Sequence, residues 1–394
     1  MQFDVVIVGG GLVGLSLARA LAGAGLRLGL VERDLVAPAS PSGIWDARVF
    51  AISPASEQFL RELGAWPRDV QRAAPITQMR IFGDRPGSEL SFSAYDSHVP
   101  HLATIAENSA LVAALRQALQ GQEGLTQIAS TGCRTVQFES RRALLVLESG
   151  DSLEARLLVA ADGGDSWLRA QAGIVHSQTD YEQTAVVANF TTGCPHRGSA
   201  FQWFRNDGVL ALLPLPGERA SMVWSAEHAL AERLLHLPAS ELCAEVEAAS
   251  AGVLGALSLI TPAAGFPLRL IRVERLVAPR LALVGDAAHN LHPLAGQGVN
   301  LGFQDARELA AVLATRGPEL DPGSFALLRR YERARREDIL AMTAVTHGLQ
   351  RLFNNSIAPL GWLRNRGLEL SDRLAPLKRL LVSHALGATS VQHQ

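Results

Sequence analysis

Lysine is nearly missing from this chain: among 36 basic residues it occurs once, at Lys378, and the rest are arginine, a coding bias rather than a site. Cysteine is as scarce. Cys133, Cys194 and Cys243 are odd in number, far apart and without CxxC spacing, which excludes a disulfide framework and a zinc site. They are expected as small core residues. An excess of one charge is lacking too: 36 basic residues against 38 acidic ones leave a net −2, which excludes a strongly basic nucleic-acid binder. No stretch reads as a membrane span, and Asp4 stands where a signal peptide carries basic residues, with Arg19 and Glu32 interrupting the apolar texture. A secretory signal is not expected and the cytoplasm is the default location. A hydrophobic share of 48% against 19% charged excludes a disordered chain. A length of 394 residues predicts two or three structural units.

What is present begins with a buried strand. Residues 3–8 (FDVVIV) form a nearly continuous apolar run, as in a parallel sheet covered on both faces. A glycine-rich turn, a helical pattern over 15–21 and a second strand at 28–32 follow, an opening βαβ unit. Residues 53–63 predict a helix with Ser53 as N-cap and Pro54 in its first turn, and 107–119 predict another. A strand pair is expected within 131–147 and a buried strand at 157–161. Between 184 and 225 short β-rich stretches alternate with turn signals, which predicts an antiparallel sheet and a second domain beginning near Tyr181. Residues 280–284 return to the parallel-strand pattern, followed by helices at 304–313 and 325–351. The first domain is therefore expected to be discontinuous.

Three segments carry chemistry. Gly9, Gly11 and Gly14 form GxGxxG between a strand and a helix, and Glu32 ends the next strand. Glycines there permit a tight turn and close backbone approach to a pyrophosphate, the helix N-terminus offers free N–H groups, and the acid accepts hydrogen bonds from ribose hydroxyls. An acid at that place disfavours a 2′-phosphate, leaving NAD or FAD. The second segment ends a strand in Asp162-Gly163, with Ser166 and Arg169 downstream. The third ends a strand in Gly285-Asp286 and continues through His289, His292, Pro293, Gly296, Gly298 and Asn300 to the 304–313 helix. A carboxylate at a strand's end can bind a polyol such as the ribityl chain of FAD. A helix start nearby would stabilise the negative charge of a reduced flavin, and an ordinary NAD dehydrogenase needs no such second site.

At these residues the chain resembles the class A flavoprotein monooxygenases, whose GxGxxG, DG and GD motifs stand here in order. More narrowly it is similar to the ubiquinone-biosynthesis hydroxylases of that class. The matching stretches are Asp46-Ala-Arg48 with Ala51-Ile-Ser53, Glu107-Asn108, residues 180–184 (DYEQT), 208–214 (GVLALLP), 285–289 (GDAAH), 300–302 (NLG), Asp305-Ala306, 330–333 (RYER) and 363–365 (LRN). Gln202-Trp203-Phe204 departs from the more charged pattern expected there. The resemblance implies a p-hydroxybenzoate-hydroxylase-like α/β fold: a Rossmann-like FAD-binding domain, an antiparallel substrate domain and a helical C-terminus. The FAD-binding domain would occupy 1–180, with a substrate-domain excursion near 76–104, and return at 275–322. The substrate domain would occupy 181–274 and the C-terminal helices 323–394.

The resemblance further implies that Gly9, Gly10, Gly11, Val13, Gly14 and Glu32 hold the ADP half of FAD, with Arg48 and Asn108 near the diphosphate and ribityl region. Asp286 would bind the ribityl chain, and Gly298, Val299 and Asn300 would face the isoalloxazine. Asp162 would serve FAD and nicotinamide binding mostly by holding the fold. NAD(P)H would be the cosubstrate, with no second Rossmann unit to bind it, and oxygen would pass through a flavin C4a-hydroperoxide to the ring of a polyprenylphenol. No catalytic side chain and no metal are named. The alternatives are a related enzyme acting on a small soluble phenol and a flavin protein without turnover.

Weaker signals have plain readings beside sharp ones. His289 and His292 are a base for the substrate phenol or loop-bonding histidines. Trp203 and Trp224 line an aromatic pocket or fill the core. Residues 325–394 carry eleven basic and five acidic groups, with Arg351, Arg364, Arg366, Arg373, Lys378 and Arg379 interleaved with apolar residues. That region is either a solvated helical cap or a surface meeting other ubiquinone-biosynthesis proteins or the membrane, which would make the protein peripheral to the inner membrane.

Overall fold

The structure, a computed structural model, describes residues 1–33, 45–67, 69, 72–83, 89–130, 132–290, 298–317 and 319–353. Its centre is a parallel sheet. Strands Leu125–Ala129, Leu28–Glu32, Gln2–Val8, Ser152–Ala160 and Leu281–Leu283 lie side by side in that order, all parallel. Strand Leu28–Glu32 is buried along its whole length, which is why it reads as an apolar run rather than an alternation. Helices Leu12–Ala20, Asn108–Leu119 and Gly298–Ala314 pack on one another over this sheet, and one continuous core holds Ile7, Leu15, Leu30, Leu111, Leu158 and Phe303.

The strand expected at 157–161 begins earlier, at Ser152. Its first half pairs antiparallel with Ala143–Leu147, which pairs in turn with Cys133–Phe138. Those first residues alternate buried and partly exposed, so the apolar run marks only the half covered on both faces. The helix expected at 304–313 likewise starts earlier, at Gly298.

The second sheet is larger. Its order is His289–Asn290, Ala264–Val273, His176–Thr192, Arg219–Glu227, Gly208–Leu215, Ser199–Arg205, Gln78–Phe82 and Glu89–Ser93, with Leu257–Leu259 beside His176–Thr192. It is antiparallel except where Ser199–Arg205 meets Gln78–Phe82, a strand from a separate pass of the chain that no hairpin joins. Tyr181 lies inside strand His176–Thr192, at an irregularity between Asp180 and Thr184 where Glu182 has a φ of 55°. Helices His228–His236 and Ala239–Ala249, which the β-rich reading did not include, cover one face of the sheet. Phe190, Leu212, Met222 and Trp224 pack there against Leu234, Leu242 and Val246. Trp203, half-buried, stacks on Phe82 with ring centroids 5.3 Å apart against the same cluster, so Trp224 fills the core and Trp203 packs on its edge. Cys243 is buried, but Cys194 is exposed, which corrects the expectation that all three cysteines are core residues. Cys194 follows the end of a strand, in a bend that turns back on Leu254.

A small sheet of Val49–Ile52, Ala103–Glu107 and Ala73–Ile76 joins the two large ones. Helix Pro54–Glu62 leaves it, and Ser53 caps the helix by accepting the Ser56 N–H at 3.3 Å. Its Glu57 is buried. Burial alone would raise its pKa, but hydrogen bonds from His101, Thr104 and Arg61 overcome that and lower it to about 2. A depressed carboxylate stabilises the fold fully above its ordinary 4.5 and loses that contribution as pH falls toward 2, roughly 3 kcal/mol in all. Glu57→Gln is therefore expected to lower stability at pH 7, with the gap closing as pH falls through that window. Urea unfolding of both proteins at several pH values checks this, and parallel curves would contradict it.

Candidate active site

The nucleotide turn is built by four glycines with different reasons for being glycine. Gly9 has a φ of +118°, and a Cβ there would sit 2.1 Å from the Ala161 carbonyl oxygen. A Cβ on Gly14 would lie 1.9 Å from the Gly9 oxygen, and one on Gly10 would lie 2.1 Å from Glu32 Oε2. Gly11 differs: a Cβ there meets no atom of the described residues within 4 Å. It is the N-cap of helix Leu12–Ala20, with no side-chain cap and no acid in the first turn. The helix thus presents bare N–H groups and a positive dipole end to open space, which suits a pyrophosphate. Glu32 is buried beside Gly10, and its Oε2 accepts from Arg116 Nη2 at 2.7 Å. The side chain of Val13 is packed between the Gly285 turn and Gly302.

Two further turns stand at the same end of the sheet, where ligands of open α/β sheets bind. In the first, Asp162 Oδ2 accepts the Leu168 N–H at 3.2 Å, while its Oδ1 is buried without a partner among the described residues. Buried Arg169 donates to the Gly164 and Ala287 carbonyl oxygens at 2.7 and 2.9 Å, bolting this turn to the next. That next turn holds Gly285, with a φ of 60°, and Asp286. The Asp286 side chain is exposed to solvent. Desolvation pushes its pKa above the carboxylate range; His289 and Arg48 oppose the rise and Asp305 adds to it.

Behind Asp286 lies a buried ionic cluster that the sequence reading did not single out. Asp305 accepts the Gly285 N–H at 2.9 Å, His289 Nε2 at 2.7 Å and Arg335 Nε at 2.8 Å. Burial opposes the charge on Asp305, but His289 and Arg335 outweigh it and hold the carboxyl below its usual range. His289 is 2% exposed and spends Nε2 on Asp305. Through Nε2 it bonds within the fold, as the plain reading expects. His292 lies outside the described residues, as do Pro293, Gly296 and residues 354–394. A signal for the cluster existed: Asp305 falls in the buried stripe of its helix beside Ala306 and Leu309, and Arg335 lies one turn beyond buried Tyr331.

The other expected residues are placed as follows. Gly298 opens its helix, where a Cβ would meet no atom of the described residues within 4 Å, and Val299 packs partly on the core. Asn300 is 1% exposed and spends its side chain on the small sheet: Nδ2 donates to the Ala51 oxygen and Oδ1 accepts the Ser53 N–H, at 2.8 and 2.9 Å. Any cofactor contact from Asn300 is therefore left to its backbone. Asn108 begins helix Asn108–Leu119, its N–H bonded to the Arg48 oxygen. Exposed Arg48 has its guanidinium 5.4 Å from the ring centroids of both Phe50 and Phe266. Phe266 belongs to the large sheet, so Arg48 touches both the small sheet and the large one, and it acts electrostatically on Asp286.

A glycine turn at 9–14, acids at the ends of two further strands and a helix that starts at Gly298 are the parts of a flavin-dependent monooxygenase. A family model described as an FAD binding domain matches residues 2–346. Ubiquinone hydroxylase UbiL of Rhodospirillum rubrum is 37% identical over 385 residues, 98% of this chain and 89% of that protein. The 3-demethoxyubiquinol 3-hydroxylase of Escherichia coli is 34% identical over 388 residues, 98% of both chains. The crystal structure of PqsL, a probable FAD-dependent monooxygenase from Pseudomonas aeruginosa, superposes with a TM-score of 0.76 at 23% identity, covering 93% of this chain and 99% of that one. The chain belongs to the ubiquinone-biosynthesis hydroxylases within the FAD-dependent aromatic monooxygenases.

Proposed function

We propose that the protein hydroxylates the aromatic ring of a polyprenylphenol intermediate of ubiquinone biosynthesis, with NAD(P)H and O2 as cosubstrates. The observation that carries this is the meeting of three turns, at Gly11, Asp162 and Asp286, at one end of the parallel sheet in a chain 37% identical to a ubiquinone hydroxylase. In this reading the Gly9–Gly14 turn holds the diphosphate of FAD, Glu32 the adenosine ribose and Asp286 the ribityl hydroxyls. Gly298 and its helix start face the ring system, and Arg48 and Asn108 close the cleft from the small sheet. FAD supplies the redox and oxygen chemistry when bound. The residues of this chain orient it, keep water from the reacting face and offset its charge. No side chain is assigned as catalytic.

The test is substrate-stimulated NAD(P)H oxidation by the purified flavoprotein, with the product identified. Short-chain polyprenylphenols are expected to stimulate it and to gain one oxygen. Stimulation by small soluble phenols alone would overturn the proposed substrate. The basic residues from Arg364 to Arg379 complete the reading as a contact for an anionic membrane surface, placing a cytoplasmic protein at the inner membrane. Truncation after Phe353 is expected to lower binding to anionic vesicles while FAD stays bound. Unchanged vesicle binding would refute the contact. No helix among the described residues is long and apolar enough to cross a membrane.

A further inference from the structure

Helix Phe325–Phe353 grips the strand and turn that carry Asp286. Tyr331 is fully buried and donates from its hydroxyl to the Leu283 oxygen at 2.8 Å. One helical turn later Arg335, 4% exposed, donates from Nε to Asp305 Oδ1 at 2.8 Å and from Nη1 to Asp338 Oδ2 at 2.8 Å. The other Asp305 oxygen receives the Gly285 N–H and His289 Nε2, which flank Asp286 in sequence. Gly285 has a φ of 60°, which glycine adopts without strain, so the turn is held by its contacts rather than by its own backbone preference. Gly302 gives it no slack: a Cβ there would meet Val13 Cγ2 at 2.5 Å and the Gly285 Cα at 3.3 Å.

We infer that Arg335 is a positioning residue for the cofactor: through Asp305 it holds the Gly285–Asp286 turn, so that helix Phe325–Phe353 sets how firmly the polyol chain of FAD is gripped. The inference rests on the proposed contact between Asp286 and that chain. Removing the guanidinium takes one of three donors from a buried carboxylate, which then draws differently on Gly285 and His289. The effect reaches the cleft without any contact between Arg335 and ligand.

The experiment is titration of apoprotein with FAD, followed by flavin fluorescence, together with the midpoint potential of the bound flavin. Arg335→Met is expected to raise the Kd for FAD about tenfold, roughly 1.4 kcal/mol, and to shift the potential, with Arg335→Lys restoring part of both. Arg336→Met, on the exposed side of the same helix, is the control and is expected to change neither. A folded Arg335→Met protein with unchanged Kd and potential overturns the inference. Should that variant fail to fold, Asp338→Asn loosens Arg335 from its partly exposed side and is expected to weaken FAD about threefold, a loss of roughly 0.7 kcal/mol. No change there overturns the inference equally. Asp286→Asn run in parallel separates the two claims. Unchanged affinity in that variant overturns the Asp286 contact and the inference built on it, whereas weakened affinity there with none from Arg335→Met overturns only the Arg335 link. No aromatic substrate enters the assay, so the identity of the phenol does not affect its outcome.

Discussion

Replacing Gly11 by aspartate is expected to leave the apoprotein at least as stable as before and to weaken FAD binding about a hundredfold, roughly 2.7 kcal/mol. The two effects have opposite signs because Gly11 faces outward. Its φ of −78° and ψ of −178° suit any residue, and a Cβ there meets nothing among the described residues. Aspartate is among the best N-cap residues, and its charge favours the helix dipole. The same carboxylate would occupy the space, and oppose the charge, of the diphosphate. Thermal melts of the apoprotein and FAD titration separate the two. A less stable apoprotein, or one that binds FAD normally, would show that Gly11 faces protein rather than cofactor.

Gly9→Ala is expected to act on the fold itself. The φ of +118° is strained for any residue with a side chain, and the added carbon would lie 2.1 Å from the Ala161 oxygen. Ala161 is backbone between the central strand and the Asp162 turn, so neither partner can step aside without moving the other. A cost of at least about 4 kcal/mol follows from backbone strain and overpacking together. The measurement is denaturant unfolding of the apoprotein, and a loss below about 1 kcal/mol would contradict the close approach.

The legible parts of the molecule are those where one segment reports its own surroundings. FDVVIV at 3–8 is apolar because both faces of its strand are covered, and Ser53-Pro54 starts a helix because the cap and the fixed proline φ act locally. The three glycine-bearing turns were legible for the same reason. What was not legible depends on distant pairings. The extra length of Ser152–Ala160 comes from its hairpin partner, and the early start of helix Gly298–Ala314 lies in residues whose packing partner is Val13. The Asp305 cluster needs two helices and a turn at once, so Asp305 and Arg335 could be noticed as charges in buried stripes but not paired. Arg116 beside Glu32 is a similar case, joined only when helix Asn108–Leu119 lies against the second strand. Asn300 shows the reverse: its place near the flavin end was read from the motif, while its side chain serves the small sheet.

The order of strands in the central sheet also bears on synthesis. Gln2–Val8 leaves the ribosome first, yet Leu281–Leu283, which closes the far side of Ser152–Ala160, is made hundreds of residues later. At ~5–20 residues per second the wait is on the order of tens of seconds. Throughout it, the growing chain carries an unfinished sheet edge of the kind that invites self-association. Nascent chains stalled before Leu281 should therefore be held by chaperones, and release from them should coincide with the emergence of helix Gly298–Ala314.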